Sequence, residues 1–297
     1  MKDRVVLRSI GIHDGAFHAD EVAACALLVL FNLADKNLIR RTREEELLSS
    51  CEYVCDVGGK YDPEKKLFDH HQNEYQGHLS SAGMILLYLK DKNIIDEGLY
   101  DYLNRSLILG IDQEDNGKIP PLENLCTFSE VLNNFMPIEY TASFEEVNKA
   151  FRQVLDFTIW YLQKLQMRYS YFLKCRQIVQ KSMNENKVVL LIEDSIPWME
   201  SFFALGGESH PALFVIMPTG KHWKLRGIPP TLKDKMKVRL PLPEKWAGLH
   251  EEELKKITNI PGAIFCHKGR FISVWQTKED AMKALQYVLK RGKNDSF

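Results

Sequence analysis

Between residues 145 and 187 the chain carries no glycine and no proline. Apolar or methyl-bearing side chains recur there at Val147, Phe151, Val154, Thr158, Leu162, Leu165, Tyr169 and Phe172, the spacing of one helix face. The opposite side is basic: Lys149, Arg152, Lys164, Arg168, Lys174, Arg176 and Lys181 stand against Asp156. One uninterrupted helix of this length is read as a bridge between two bodies. A chain of 297 residues also exceeds what a single core usually serves, since cores stop growing near about 250–300 residues. The expected division is a first domain over residues 1–140, a connecting helix over 141–186 and a second domain over 187–297.

The first part alternates strands and helices. Residues 5–12 and 53–56 read as short strands, 38–41 as another, and Leu67-Phe68 leads into a polar run. Residues 21–31 form a strong apolar helix, with Asp20 placed as its N-cap. Residues 80–89 read as a helix, and 99–109 continue in helical period to Gly110. Alternation of this kind implies right-handed βαβ units and a mainly parallel sheet, an α/β fold. In such sheets ligands gather beyond the carboxyl ends of the strands.

The polar residues of this half fall at those ends. His13, Asp14, His18 and Asp20 follow the first strand, Asp56 follows residues 53–55, and Asp69-His70-His71 follows Phe68. Asp112 and Asp115 stand before Asn116-Gly117, where turn chemistry would account for them. Singly, each cluster has an ordinary structural reading as cap or turn. Adjacent imidazoles at a buried strand end are costly without partners. Together the Asp and His residues suit a two-metal phosphoester-cleaving site, in which metal ions activate water and clamp phosphoryl oxygens. Mixed imidazole and carboxylate ligation favours Mn²⁺, with Mg²⁺ the alternative.

Composition narrows the class further. Net charge is −1, which excludes a uniformly basic nucleic-acid binder but not a local basic face. Cys51 and Cys55 form one close pair without a second to complete a zinc site, so the six cysteines read as reduced thiols. The opening residues lack the character of a signal or transit peptide, and no apolar run of about 18 residues is present. A cytoplasmic protein with no membrane partner is expected.

The second part repeats an α/β pattern. Residues 188–192 and 213–217 are apolar strands, 222–228 alternates, 263–266 and 271–275 flank Lys268-Gly269-Arg270, and 278–289 is a closing helix. Between residues 221 and 245 eight Lys or Arg stand against Asp234 and Glu244, interleaved with His222, Trp223 and Trp246. A basic groove with aromatic platforms suits single-stranded nucleic acid; a solvated basic surface over buried tryptophans fits the composition equally well. His267 and Arg270 are candidate phosphate contacts.

Asp69-His70-His71 resembles the signature of the DHH phosphoesterase superfamily, which includes RecJ-type nucleases, oligoribonucleases and family II pyrophosphatases. Ile12-His13-Asp14-Gly15-Ala16-Phe17-His18-Ala19-Asp20-Glu21, Asp56-Val57-Gly58-Gly59, Ser80-Ser81-Ala82-Gly83, Ile196-Pro197-Trp198 and Ile260-Pro261-Gly262 are similar to motifs of the MYG family (melanocyte proliferating gene). The matching stretches span nearly the whole chain.

The resemblance implies a DHH-type catalytic domain followed by a substrate-binding domain, and a metal-dependent 3′–5′ exonuclease acting on single-stranded RNA or a short oligonucleotide. It further implies that His13, His18 and Asp56 hold one metal and that Asp20, Asp56, His70 and Asp112 hold the other. Asp115 competes for the last position and Asp14 is a further candidate. Asp69 would orient an imidazole, and His71 would face the substrate as a donor. Arg226, Arg239, His267 and Arg270 would contact the substrate.

Two departures stand out. Asp14 occupies a position where the family has Asn. Ser273 and Val274 stand where it has glycines, so a backbone approach to phosphate that glycines would allow is in question. A small-molecule phosphoesterase or pyrophosphatase is the alternative within hydrolases, and a non-catalytic nucleic-acid-binding protein the alternative outside them. The oligomeric state is open, a homodimer included.

Overall fold

The computed structural model describes residues 5–120, 124–139, 141–185 and 187–292. It divides into two compact units, Met1–Tyr169 and Ser170–Phe297, with the division inside the long helix. The opening residues Met1 to Arg4 and the polar C-terminal tail, both read above, lie outside the described residues, as does Asn186 at the foot of the expected bridge.

In the first unit the strands are β1 (Val6–Ile12), β2 (Ile39–Arg41), β3 (Cys51–Cys55), β4 (Tyr61–Asp62) and β5 (Leu67–Phe68). Their order is β2-β1-β3-β5-β4. β1 pairs in parallel with β2 and β3, β3 in parallel with β5, and only β4 runs against its neighbour. The mainly parallel α/β sheet expected from the alternation is therefore present. It sets the C-terminal ends of β1, β3 and β5 side by side.

Helix α1 (Ala19–Leu30) packs over this sheet with residues 19–28 all buried. Its run Ala23-Ala24-Cys25-Ala26 is small enough for close approach by α3 (Ser81–Asp91), which also contacts β5. Around them Ile10, Ile12, Phe17, Leu27, Phe68, Met84 and Ile85 form the centre of the core. Asp20 does not cap α1. The cap position belongs to His18, and Asp20 lies inside the first turn, fully buried.

The short helix α2 (Glu45–Ser49) precedes β3. Beyond α3, α4 (Glu97–Leu103) runs without a break through a π-helical turn (Asn104–Ile108) into α5 (Leu109–Asp115). Gly110 is therefore not a helix end, and Asp112 and Asp115 lie on a helix rather than in a turn. Helix α6 (Phe128–Asn133) follows, and then α7 (Phe144–Glu185). Phe151, Val154, Leu155, Leu162 and Leu165 of α7 are buried in the first unit's core. Further along α7, Cys175 and Val179 are buried in the second unit.

The second unit contains β6 (Val189–Leu191), α8 (Trp198–Ala204), β7 (Phe214–Thr219), β8 (His222–Gly227), α9 (Glu251–Thr258), β9 (Ala263–Cys266), β10 (Ile272–Trp275) and α10 (Lys278–Gly292). Its sheet runs β6-β7-β8-β10-β9, and only β6–β7 is parallel. Trp246 and Trp275, both fully buried, meet at 5.7 Å between ring centroids in its core. Among the described residues no helix is long and apolar enough to cross a membrane.

Candidate metal centre

Three neighbouring strand ends carry the polar residues: β1 runs into His13, β3 into Asp56, and β5 into Asp69, His70 and His71. Asp56 sits at φ 56°, a left-handed conformation that Asp tolerates better than most residues. Arg41 at the end of β2 steadies the loop after β1, donating to the Gly15 carbonyl (2.5 Å) and to Asn148 Oδ1 (2.8 Å).

The His13 Nδ1 is 2.7 Å from the Asp14 carbonyl, and an N–H donated there leaves Nε2 free. That Nε2 faces Glu21 Oε1 at 3.2 Å and Asp56 Oδ2 at 3.3 Å. Burial alone would lower the His13 pKa, but the Asp56 and Glu21 carboxylates prevail and raise it to about 10. Asp56 shows the reciprocal balance. Burial would raise it, yet the flanking His13 and His70 imidazoles hold it well below the usual carboxylate range.

His70 Nε2 points into a ring of carboxylates: Asp115 Oδ2 at 3.1 Å, Asp56 Oδ1 at 3.6 Å and Asp20 Oδ2 at 3.8 Å. None of these contacts has hydrogen-bond alignment, and both His70 Nε2 and Asp56 Oδ1 are buried without a hydrogen-bond partner. Here too burial works against the proton and is outweighed by Asp115, Asp56 and Asp20, which raise the His70 pKa to about 10.

Asp20 and Asp112 converge on the N-terminus of α3. Asp20 accepts from the amides of Ser81 (2.9 Å) and Ala82 (2.6 Å), and Asp112 from those of Ser80 (3.0 Å) and Gly83 (3.0 Å). Helix N-termini favour negative charge, and these four amides would otherwise be orphaned. A Cβ on Gly83 would lie 2.2 Å from Asp112 Oδ2, so glycine there is what lets Asp112 approach. The Ser80 hydroxyl lies 2.5 Å from Asp20 Oδ1 and 2.7 Å from Asp112 Oδ1. It has one proton for two carboxylates, so the second contact requires a proton on one of the acids. Burial, with Asp56 and Asp115 nearby, pushes Asp20 well above the usual range, and burial lifts Asp112 to about 6 against its hydrogen bonds.

Metal-competent donors fall into three groups whose atoms lie within 4.8 Å of one another: His13, His18, Glu21 and Asp56; Asp56, His70 and His71; Asp20, His70 and Asp115. Asp56 belongs to two of them. Of the expected ligands, His13, His18, Asp20, Asp56 and His70 are brought together, and Asp115 joins them. Asp112 is in none of the three groups: its Oδ1 faces the α3 amides and the Ser80 hydroxyl, and its Oδ2 is buried without a hydrogen-bond partner. Asp14 also stands apart, its carboxylate 3.1 Å from Arg43 Nε on the exposed side of the loop.

Glu21 was not among the residues singled out above. Its carboxylate accepts from the His18 amide at 3.0 and 2.9 Å, a helix-start contact that also turns it toward His13. An acid three residues after a cap position and beside two imidazoles was the available signal.

His71 is held differently. Its Nδ1 lies 2.8 Å from Asp69 Oδ1, while Asp69 Oδ2 accepts from the Gly59 amide at 2.6 Å. Asp69 thus orients an imidazole whose side chain is 63% exposed. That imidazole borders two cavities, one of about 400 Å³ shared with Asp20, Asp56 and Asp115 and one of about 310 Å³ shared with His13, Arg43 and Gly58.

The donor set fits a divalent cation. Imidazole nitrogens and carboxylate oxygens converge in a buried space and leave lone pairs unmatched, which protons satisfy poorly and a metal satisfies well.

In the second unit, the expected substrate contacts separate. Arg239 donates to the carbonyls of Gly207, Glu208, His210, Ala212 and Pro229, so its guanidinium is a structural clamp and not a free phosphate contact. Trp246 is core and cannot serve as a stacking platform, and Ser273 is buried with its hydroxyl accepting from Trp275 Nε1. Arg226 is half-buried with its Nε unpartnered, its guanidinium 5.7 Å from the Phe271 ring. Burial lowers its pKa, and burial plus Arg226 lowers that of Lys224. His267 packs against Phe271, its Nδ1 accepting from the Gly269 amide, with Arg270 at φ 55° beside it.

Comparison with known proteins adds to this. The chain is 49% identical over 284 residues to the MYG1 protein of Chlamydia trachomatis, covering 96% of this chain and 97% of that one. It is 31% identical over 322 residues to the human MYG1 exonuclease, covering 94% and 85%. Among solved structures, RecJ from Thermus thermophilus in complex with Mn²⁺ matches 95% of this chain and 52% of that one, at 13% identity and a TM-score of 0.29. This chain therefore spans about half that RecJ chain, and so low a score leaves fold and chemistry to be read from the residues themselves. A family profile described as an uncharacterised protein family (UPF0160), MYG1_exonuc, matches residues 9–289. The chain belongs to the MYG1 exonuclease family.

Proposed function

We propose that the chain is a metal-dependent phosphodiesterase of the DHH type, a 3′–5′ exonuclease on short single-stranded RNA that uses two Mn²⁺ ions. The observation that carries this reading is that Asp56 joins His13, His18 and Glu21 in one donor group and His70 and His71 in another, while His70 also joins Asp20 and Asp115. The exonuclease named among its relatives supports the same chemistry.

On this reading His13, His18 and Asp56, with Glu21 beside them, would hold one ion, and Asp20, Asp56, His70 and Asp115 would hold the other. When bound, such ions supply an activated water and neutralise charge on the phosphoryl oxygens. The chain's own residues do the rest. Asp69 fixes His71 through Nδ1, so its outward Nε2 is free to hydrogen-bond a phosphate oxygen or to protonate the departing oxygen. The α3 N-terminus holds Asp20 in place, and Gly59 holds Asp69. The second unit would bind the polyanionic remainder through Arg226, His267 and Arg270; of these, Arg226 is partly buried with its Nε unpartnered.

The reading is tested by stripping the protein with a chelator and restoring Mn²⁺ or Mg²⁺ in the presence of end-labelled RNA, DNA and pyrophosphate. Mn²⁺ should restore release of mononucleotides from the 3′ end of short RNA. Turnover of pyrophosphate alone, or of nothing, would remove the proposal. The last ligand is tested separately. Asp115→Asn should reduce bound Mn²⁺ from two ions toward one, whereas Asp112→Ala, which removes the acceptor of the Ser80 and Gly83 amides, should leave stoichiometry unchanged and lower the melting temperature by a few degrees. Elemental analysis and thermal unfolding read the two effects, and equal metal loss in both variants would restore Asp112 to the ligand set.

A further inference from the structure

Beside the metal-competent cluster lies a second cavity, of about 420 Å³, between α5, α6 and α7. Leu107, Phe128, Val131 and Tyr161 make its walls predominantly apolar. It shares Ile111, Glu114 and Ser129 with the 400 Å³ cavity that reaches Asp20, Asp56, His71 and Asp115, so the two adjoin. The π-helical turn contributes Ser106 and Leu107 to the lining, and π-turns of this kind are frequent at functional sites.

The charge distribution identifies the ligand class. Among the described residues neither of these adjoining cavities is lined by a lysine or arginine. The cavity of about 310 Å³, which also reaches Asp56 and His71, carries Arg43 beside Gly58 and Gly59, its Nε paired with Asp14 and its terminal nitrogens in no hydrogen bond among the described residues. A further phosphate is favoured on the Arg43 side and disfavoured on the apolar side. What suits the apolar side is an uncharged planar group attached one sugar away from a phosphate at the cluster. Phe128 and Tyr161, with ring centroids 5.2 Å apart, offer aromatic surface. Polar groups at the rim can meet the edge of such a group: Ser129, and the Glu114 carboxylate that accepts from the Thr127 hydroxyl at 3.0 Å.

Resting on the phosphodiesterase reading above, we infer that this apolar cavity is the nucleobase subsite for the nucleotide being released. The remaining chain of the substrate leaves on the Arg43 side.

Gly110 provides the test. It lines the cavity, and a Cβ built there meets nothing within 4 Å. Gly110→Leu therefore projects into the cavity while improving helix propensity. In Mn²⁺-supplemented protein, calorimetry should show adenosine monophosphate binding about tenfold more tightly than ribose 5-phosphate, the scale of one base–aromatic contact. In Gly110→Leu that advantage should disappear. Cys126, at the cavity and exposed while the other five cysteines are buried, gives an independent readout in the wild-type protein. Adenosine monophosphate, and not ribose 5-phosphate, should slow its alkylation severalfold.

Equal affinity for the two ligands, an unchanged advantage in a folded Gly110→Leu variant, or unprotected Cys126 would each overturn the subsite and leave the phosphodiesterase reading standing. Binding of neither ligand would overturn both.

Discussion

Asp56→Asn is expected to lower the rate of phosphodiester cleavage by about three orders of magnitude or more, because it removes the one carboxylate shared between two donor groups, and the charge stabilisation such a site supplies amounts to several kcal/mol. Asn is the informative replacement. It preserves volume and accepts the left-handed backbone at φ 56°, where Ala would add strain. The metal-free variant should melt somewhat lower, since the Asp56 carboxylate, held despite its burial well below its usual range by His13 and His70, stabilises the folded state at neutral pH. Residual activity within tenfold of wild type in a pure, folded preparation would show that the three strand ends do not share a reaction centre through this residue.

The second large effect is a proton count. In the metal-free protein His13 and His70 are both raised to about 10, so both rings are protonated at pH 8. A metal needs the lone pair on each Nε2, so binding must expel about two protons, and apparent affinity for Mn²⁺ should climb steeply, up to about a hundredfold per pH unit, across the range below pH 10. Calorimetry in buffers of different ionisation enthalpy measures the number directly; a count of zero would mean that these imidazoles are not the ligands.

Stability of the metal-free protein should move the other way. A folded-state pKa above the unfolded value contributes stability that is complete below about 6.5 and lost as pH rises through about 10. Asp20, raised well above its ordinary value, adds to the same trend as it ionises. The metal-free melting temperature should thus fall with rising pH in this window, while added Mn²⁺ stabilises more at higher pH.

The first unit was legible because parallel sheets have a rule. Once β1, β3 and β5 were recognised from their apolar runs, the residues following Ile12, Cys55 and Phe68 had to share an edge. Helix packing has no equally local rule. Gly110 reads as a stop signal, and only the contacts of α4 and α5 with α1 and α3 show that the helix continues past it. That error concealed why Asp112 and Asp115 differ. Three residues apart on one helix, one is directed to the α3 amides and the other to His70. Glu21 was hidden by ordinariness, since an acid in the first turn of a helix needs no further explanation. Arg239 and Trp246 show a different limit. A guanidinium and an indole suit a nucleic-acid surface as well as an interior, and only the five carbonyls around one and the burial of the other separate the uses.

The seating of Asp20 and Asp112 on one helix end has a consequence for how the site can be lost. These carboxylates are simultaneously the anchors of α3 and, for Asp20, a wall of the cluster. Fraying the first turn of α3 would dissolve the geometry of the centre, and withdrawing either acid would unseat the helix. Secondary structure and donor cluster therefore form one cooperative unit, in which a lesion at Ser80, Ser81 or Gly83, none of which is among the donor groups, would act as a lesion of the cluster itself.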